Sequence, residues 1–343
     1  MRAFDYASPA KQEEALALLG ESWGEVEVLA GGSDLLSLMK DEIVTPKRLV
    51  NIKGIQELHG VHMGKDMLTI GALTTLAEIA GNAEVKQNFP VLAMAAGEAA
   101  SPQIRNVATL GGNLCQRPRC WYFRTGHGLF AQQDGKSLVL EGDNRYHAIL
   151  GNNGPAYWVS PSTVAPVLIA YGAIVHIQRE RLMRELPLEK FFMVPEIEGD
   201  REHNLRPDEI VTGVSIPMTA PNVRAGHYEV RQKEAFDWPY ATAAVALTMN
   251  ASTVQNAKIV MGHVAPVPWV SLEAAQVLMG KAVTQATAEE AAQTSVMRAK
   301  SLGHNQHKIH LARVAVKRAI LAAAGATAKH AGVSRNGAEG GAA

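Results

Sequence analysis

From Glu25 to Leu29 polar and apolar positions alternate with the two-residue period of a strand, and the run ends on Ala30 and the pair Gly31-Gly32. Residues Asp34 to Lys40 then read as a helix. Upstream, residues 8–19 (SPAKQEEALALL) predict a helix capped by Ser8 with Pro9 in its first turn. Leu49 to Ile52 and Met67 to Ile70 are further strand-like runs, the second entering Gly71, and Leu76 to Ala80 begins another helix. Pro90 to Ala100 is apolar on every side and predicts a buried helix. It stops at Ser101-Pro102, shortly before a second pair, Gly111-Gly112, which also follows a strand-like run.

Between Leu114 and Arg145 the periodicity fails, as expected of a functional or disordered loop. Order returns at 147–150 and 156–176, lapses from Pro195 to Pro207, and resumes with the strand-like Glu209 to Pro217. The pattern changes after Pro221, which places a domain boundary there. Two strand-like runs, 241–249 and 257–264, are followed by three helical segments, the middle one opened by the capping-box sequence Thr287-Ala288-Glu289-Glu290. Residues 328–343 are Gly/Ala-rich and predict a disordered tail.

A chain of 343 residues predicts two or three domains. Its 33 basic and 33 acidic residues balance, so there is no global electrostatic case for nucleic acid or an anionic membrane. No run approaches the roughly 20 apolar residues that cross a bilayer, and Met1 to Tyr6 lacks the apolar segment of a secretion signal. Two cysteines, Cys115 and Cys120, fit a reducing compartment. A cytoplasmic location is expected, with the periplasm open to it through co-export with a partner.

The glycine pairs carry the chemistry. Glycine lets main-chain N–H groups approach a ligand closely, and successive N–H groups form a concave anion site. Two such nests brought together suit a pyrophosphate without help from Lys or Arg. Arg105, Arg117, Arg119 and Arg124 cluster near the second pair, either steering phosphates or an acidic partner surface, or belonging to a solvated loop that pairs with nearby acids; Gln103 and Asn106 read as turn-stabilising groups. Residues 126–131 (GHGLFA) match a dinucleotide fingerprint but follow no strand and open no helix. His304, His307 and His310 would drift off one helix face, and the aromatic run Phe236 to Tyr240 reads as strand-entry packing. No general acid or base is nominated.

In order, AGGSDLL, IGALTTLAEIA, SPQIRNVATLGGNL, VSIP and GHVAPVPW at 262–269 make the chain resemble the flavoprotein (medium) subunit of xanthine dehydrogenase-type molybdenum hydroxylases, a group including carbon-monoxide dehydrogenase and aldehyde oxidoreductase medium subunits. The resemblance implies an α+β fold. An FAD-binding domain of the PCMH (vanillyl-alcohol-oxidase-like) type, 1–220, would have subdomains of about 1–57 and 58–220. A C-terminal α+β domain, 221–327, would have a three-stranded sheet and helices. It implies FAD as cofactor, held by Ala30, Gly31, Gly32, Ser33, Asp34 and Leu35 on one side and Thr109, Gly111, Gly112 and Asn113 on the other. Ile70, Gly71, Val214 and Ile216 would line the flavin cleft. Electrons would come from 2Fe–2S centres on a small subunit, supplied by a large molybdopterin subunit oxidising an aldehyde or N-heterocycle, and would leave for an external acceptor. One branch of the group carries a 4Fe–4S cluster on four loop cysteines. Here only Cys115 and Cys120 remain, with His127 as a stand-in, so no cluster is expected. A self-contained flavin oxidase and a scaffold that has lost FAD are the rival readings.

Overall fold

Strands β1 (Asp5–Ala7), β2 (Val26–Leu29) and β3 (Arg48–Asn51) form a parallel sheet in the order β1-β3-β2. Parallel neighbours need crossovers, which the helices Gln12–Leu16 and Leu35–Lys40 supply. The computed structural model describes residues 1–220, 222–232 and 237–325; Pro221, Phe236 and the tail 328–343 lie outside the described residues. The first helix is shorter than the expected 8–19. Ser8 Oγ accepts a hydrogen bond from Asn51 Nδ2 at 3.3 Å instead of capping, and the Glu14 carboxylate takes the N–H groups of Ala10 and Lys11, so the helix starts later.

β4 (Val61–Met63) and β5 (Met67–Gly71) open a second sheet. A small hairpin, β6 (Gln132–Gln133) and β7 (Lys136–Ser137), lies within the 114–145 segment. β8 (Ile174–Arg179), β9 (Leu182–Pro187) and β10 (Ile210–Pro217) complete the second sheet, antiparallel throughout, in the order β4-β5-β10-β8-β9. The helices Leu76–Gly81, Pro90–Glu98 and Ala165–Ala170 share its apolar core, and Leu68, Ile70, Val175, Val214 and Ile216 are buried in it.

The 114–145 segment is folded rather than irregular. Cys120, Phe123, Leu129, Phe130 and Val139 make a separate small core with Leu38, Ala156 and Trp158, and Phe130 stacks on Trp158 at 5.9 Å. Its apolar residues are too widely spaced for a helical or strand period, so the pattern hid them. The GHGLFA stretch proves to be a local nest: the N–H groups of Leu129 and Phe130 donate to the Glu198 carboxylate at 2.7 and 3.0 Å.

β11 (Val223–Val230), β12 (Ala241–Asn250), β13 (Thr253–Gly262) and β14 (Trp269–Val270) form the C-terminal antiparallel sheet. It has four strands where three were expected, the extra one being the two-residue edge β14. β12 is nearly all apolar because both its faces are covered. Ala243, Val245, Leu247 and Met249 meet the helices Leu272–Leu278, Gln285–Ser295 and Gln306–Ala323, while Ala244 belongs to the first domain's core. The last helix lies backbone-close on β11, for a Cβ on Gly226 would fall 2.2 Å from Ala319 O. The middle helix begins a turn earlier than its sequence suggests: Thr284 is the cap, and Thr287 answers it as the N3 partner through bonds of 3.1 and 2.9 Å.

Lys308 is fully buried, and its Nζ donates to the carbonyls of Tyr146, His147 and His263 at 2.7, 3.0 and 2.8 Å. Burial pushes this amine down to about 7, against three acceptors that hold the ammonium form. Beside it, burial and the Lys308 charge push His263 down to about 3. A lowered imidazole adds stability that is complete above the unfolded value near 6.5 and lost as pH falls towards the folded one. Relative to the parent, His263→Gln should therefore lose less stability between pH 6.5 and 5, by up to ~1.4 kcal/mol per pH unit. Denaturant unfolding of both chains at several pH values measures this; parallel pH profiles would contradict it.

Candidate functional site

The two glycine turns, about eighty positions apart in sequence, lie back to back. β2 runs into Ala30-Gly31-Gly32-Ser33-Asp34 and then the helix Leu35–Lys40, with Gly32 at φ +73°, a conformation that disfavours side chains. A Cβ on Gly31 would sit 1.9 Å from Val107 O and 3.2 Å from Ala108 Cα. No side chain fits between the first turn and the strand of chain entering the second.

The second turn is a helix start, not the end of a strand as its sequence suggested. Ser101 caps the short helix Pro102–Arg105, and the chain returns through Val107-Ala108 to the helix Leu110–Cys115. Thr109 is its cap, accepting the Gly112 N–H on Oγ1 at 3.2 Å. Gly111 N–H donates to Ala72 O at 2.8 Å, and a Cβ there would meet the Ala72 Cβ at 3.0 Å. The Asn113 carboxamide oxygen accepts from Ser162 Oγ at 2.6 Å. The nests thus differ. Gly111 and Gly112 spend their N–H groups within the protein, whereas among the described residues those of Gly31, Gly32, Ser33 and Asp34 meet no protein acceptor.

Both turns open on one cavity of about 460 Å³, and Ala30, Gly31, Gly32, Ser33, Asp34, Leu35, Thr109, Gly111, Gly112 and Asn113 all line it. Ile70, Gly71, Val214 and Ile216 do not, a correction to their expected place. Val214 pairs with Ile70 across β10 and β5, and Ile70, Val214 and Ile216 are wholly buried in the core. The cavity meets these strands one residue or more away, at Ala72, Leu73, Ile210 and Val211.

Charge around the cavity is internally paired. The Asp34 carboxylate accepts the Arg117 N–H at 2.9 Å and the guanidinium groups of Arg124 at 2.8 Å and Arg119 at 3.0 Å. Arg117 also pairs with Glu202 at 3.0 Å, and Arg105 donates to the carbonyls of Ala99 and Ala100. Of the two readings of the arginine cluster, pairing with nearby acids is the one the structure shows for Arg117, Arg119 and Arg124, while Arg105 is held by carbonyls. Arg119 additionally lies over the Trp238 ring at 4.3 Å, so this part of the expected strand-entry run faces the cavity rim.

Sequence reasoning missed the far end of the cavity. There Arg201 pairs with Glu27 at 2.6 Å and lies over Trp23 at 4.7 Å, beside the buried His203. Burial pushes Glu27 up to about 7, with the Arg117 charge opposing, and burial pushes His203 down to about 4. Glu27 was visible only as a charged position in an otherwise ordinary alternating strand. Cys115 also lines the cavity; burial pushes its thiol up to about 12. Cys120 is buried with its Sγ 3.1 Å from His147 Nε2. His307 packs edge-on to Tyr240 and His310 faces Arg313, so the three C-terminal histidines do not converge.

Residues 2–219 match the family model described as the FAD binding domain in molybdopterin dehydrogenase, and residues 226–323 match the CO dehydrogenase flavoprotein C-terminal domain. The chain belongs to the molybdopterin dehydrogenase FAD-binding family. It is 31% identical over 274 residues to the aldehyde oxidoreductase FAD-binding subunit PaoB of Escherichia coli K12, covering 78% of this chain and 84% of that one. It is 28% identical over 324 residues to the carbon monoxide dehydrogenase medium chain of Hydrogenophaga pseudoflava, covering 93% and 96%. Among solved structures, carbon monoxide dehydrogenase from Hydrogenophaga pseudoflava lacking the Mo-pyranopterin moiety superposes with a TM-score of 0.75 at 26% identity, covering 95% of this chain and 99% of that one. As a family member the chain is the FAD-binding subunit of an oxidoreductase of the molybdenum hydroxylase type.

The residues present fit that cofactor. Main-chain N–H groups without protein acceptors, at glycines that a Cβ would block, are what a diphosphate requires. Each charge-assisted bond contributes ~1.5–3 kcal/mol, so losing two costs at least ~100-fold in affinity. Gly31→Ala, which forces the turns apart, should weaken FAD binding by that much. Gly112→Ala, whose new Cβ meets only Thr109 Oγ1 at 3.0 Å, should weaken it far less. Titrating FAD onto each apo-chain by absorbance, with circular dichroism as a folding control, separates the two; equal affinities would contradict the assignment.

Proposed function

We propose that the chain is the FAD-carrying electron-transfer subunit of a heterotrimeric molybdenum hydroxylase that oxidises an aldehyde or an N-heterocycle. The observation that carries the reading is the shared opening of both glycine turns on one cavity. The diphosphate is held by Gly31, Gly32, Ser33 and Asp34, with Thr109, Gly111, Gly112 and Asn113 forming the opposite wall. FAD, when bound, supplies a centre that takes electrons singly and releases them singly or in pairs. The chain's own work is to hold, orient and shield it. Asp34, tied to three arginines, fixes the first turn to the 114–145 segment, and Trp238 on Arg119 covers the rim.

Partners follow from relatives named as medium chains and FAD-binding subunits. In this reading a small subunit with 2Fe–2S centres delivers the electrons, a large molybdopterin subunit oxidises the substrate, and an external acceptor takes them from the cavity. The described residues hold no helix long and apolar enough to cross a membrane.

The complex assembled with Gly31→Ala should still pass electrons from substrate to its iron–sulfur centres but not to the acceptor. Stopped-flow absorbance in the iron–sulfur bands, followed with steady-state acceptor reduction, reads both steps. A scaffold that has lost FAD would leave acceptor reduction unchanged, and turnover by this chain without partners would identify a self-contained oxidase.

A further inference from the structure

At the seam between the two domains a second group of side chains converges. Glu98 ends the helix Pro90–Glu98 of the FAD-binding domain, while His227 and Glu229 project from the same side of β11 of the C-terminal domain, two positions apart on an extended strand. One ligand atom from each of the three lies within 4.8 Å of the others, the one such His/Cys/Asp/Glu grouping among the described residues. The His227 side chain is fully buried, neither ring nitrogen makes a hydrogen bond of good geometry although the Ala243 main chain lies beside the ring, and its Nε2 lies 3.9 Å from Glu98 Oε2. A buried imidazole left this way is costly unless something binds it.

We propose that Glu98, His227 and Glu229 form a site for a divalent cation of the zinc type, which clips the C-terminal domain to the FAD-binding domain.

The donor set suits such an ion: one imidazole and two carboxylates, the carboxylates also lining the cavity. Ligation needs a neutral imidazole, and burial pushes His227 down to about 4, the Ala243 main chain opposing. Glu229 is divided between two tasks. Its Oε1 accepts Arg231 Nε at 2.6 Å, while its Oε2 is buried without a partner. An arginine that orients one oxygen and leaves the other for the metal is the usual second layer of a carboxylate ligand. Arg231 also donates to the Glu98 carbonyl at 3.2 Å, so the same guanidinium braces both sides of the seam. Glu98 and Glu229 line the cavity assigned to FAD, but none of the three residues holds the diphosphate in the reading above, and zinc titration tests them apart from it.

The test is calorimetric titration of zinc chloride into the chelator-stripped, FAD-loaded chain, with thermal melting alongside. One zinc per chain and a higher Tm are expected, with affinity reduced at least tenfold in both His227→Asn and Glu98→Gln. Glu98 is half-exposed, so its variant keeps the test decisive if loss of His227 impairs folding. A chain carrying His304→Asn, His307→Asn and His310→Asn should bind zinc as the parent does. No binding, or binding that survives His227→Asn and Glu98→Gln but disappears in the triple variant, would overturn the proposal.

Discussion

The Gly31 Cα rests so close to the Val107 peptide that a Cβ there would fall 1.9 Å from Val107 O, and the proposed placement of the cofactor depends on this contact. It joins the small parallel sheet, through the turn after β2, to the segment that enters the second glycine turn. Because the contact is backbone against backbone, it fixes the spacing of the turns without flexible side chains. That turn is anchored in its own right, by Gly111 N–H on Ala72 and by a Gly71 packed so tightly that a Cβ would fall 2.3 Å from Leu58 O. Glycines here serve three different approaches: turn on turn, helix start on sheet, and, at Gly226, strand on helix.

Electrostatics follow the same economy. The four arginines near the second turn are engaged by Asp34, Glu202 and main-chain carbonyls, so in the proposed reading the diphosphate is met by N–H dipoles and not by mobile cations. Fixed dipoles need no reorganisation when charge arrives, which suits a cofactor that is retained while its redox state changes. The C-terminal sheet, covered on both faces, holds Trp238, Glu229 and the seam against the cavity as one packed body.

Much of this was legible in the residues. Gly31-Gly32 after an alternating strand and the apolar helix at Pro90 announced local geometry, because turn chemistry and periodicity are written in adjacent positions, whereas the Thr109 cap of the second turn was read as the end of a strand. What failed was non-local. Ile70, Val214 and Ile216 sit on the expected strands, but which end of a strand reaches a cavity depends on register with neighbours far away in sequence. Glu27, Arg201 and Glu229 gave no motif, since a lone charge on a strand looks the same whether it faces solvent or a cavity. The 114–145 segment hid a core whose partners, Leu38 and Trp158, lie outside it.

Amide hydrogen exchange, with and without FAD, addresses the central claim most directly. If the first turn receives the diphosphate, the N–H groups of Gly31, Gly32, Ser33 and Asp34 exchange freely in the apo-chain and become protected on loading. Gly111, bonded to Ala72, is protected in both. Unchanged exchange at Gly31 to Asp34 in the FAD-loaded chain would contradict the account.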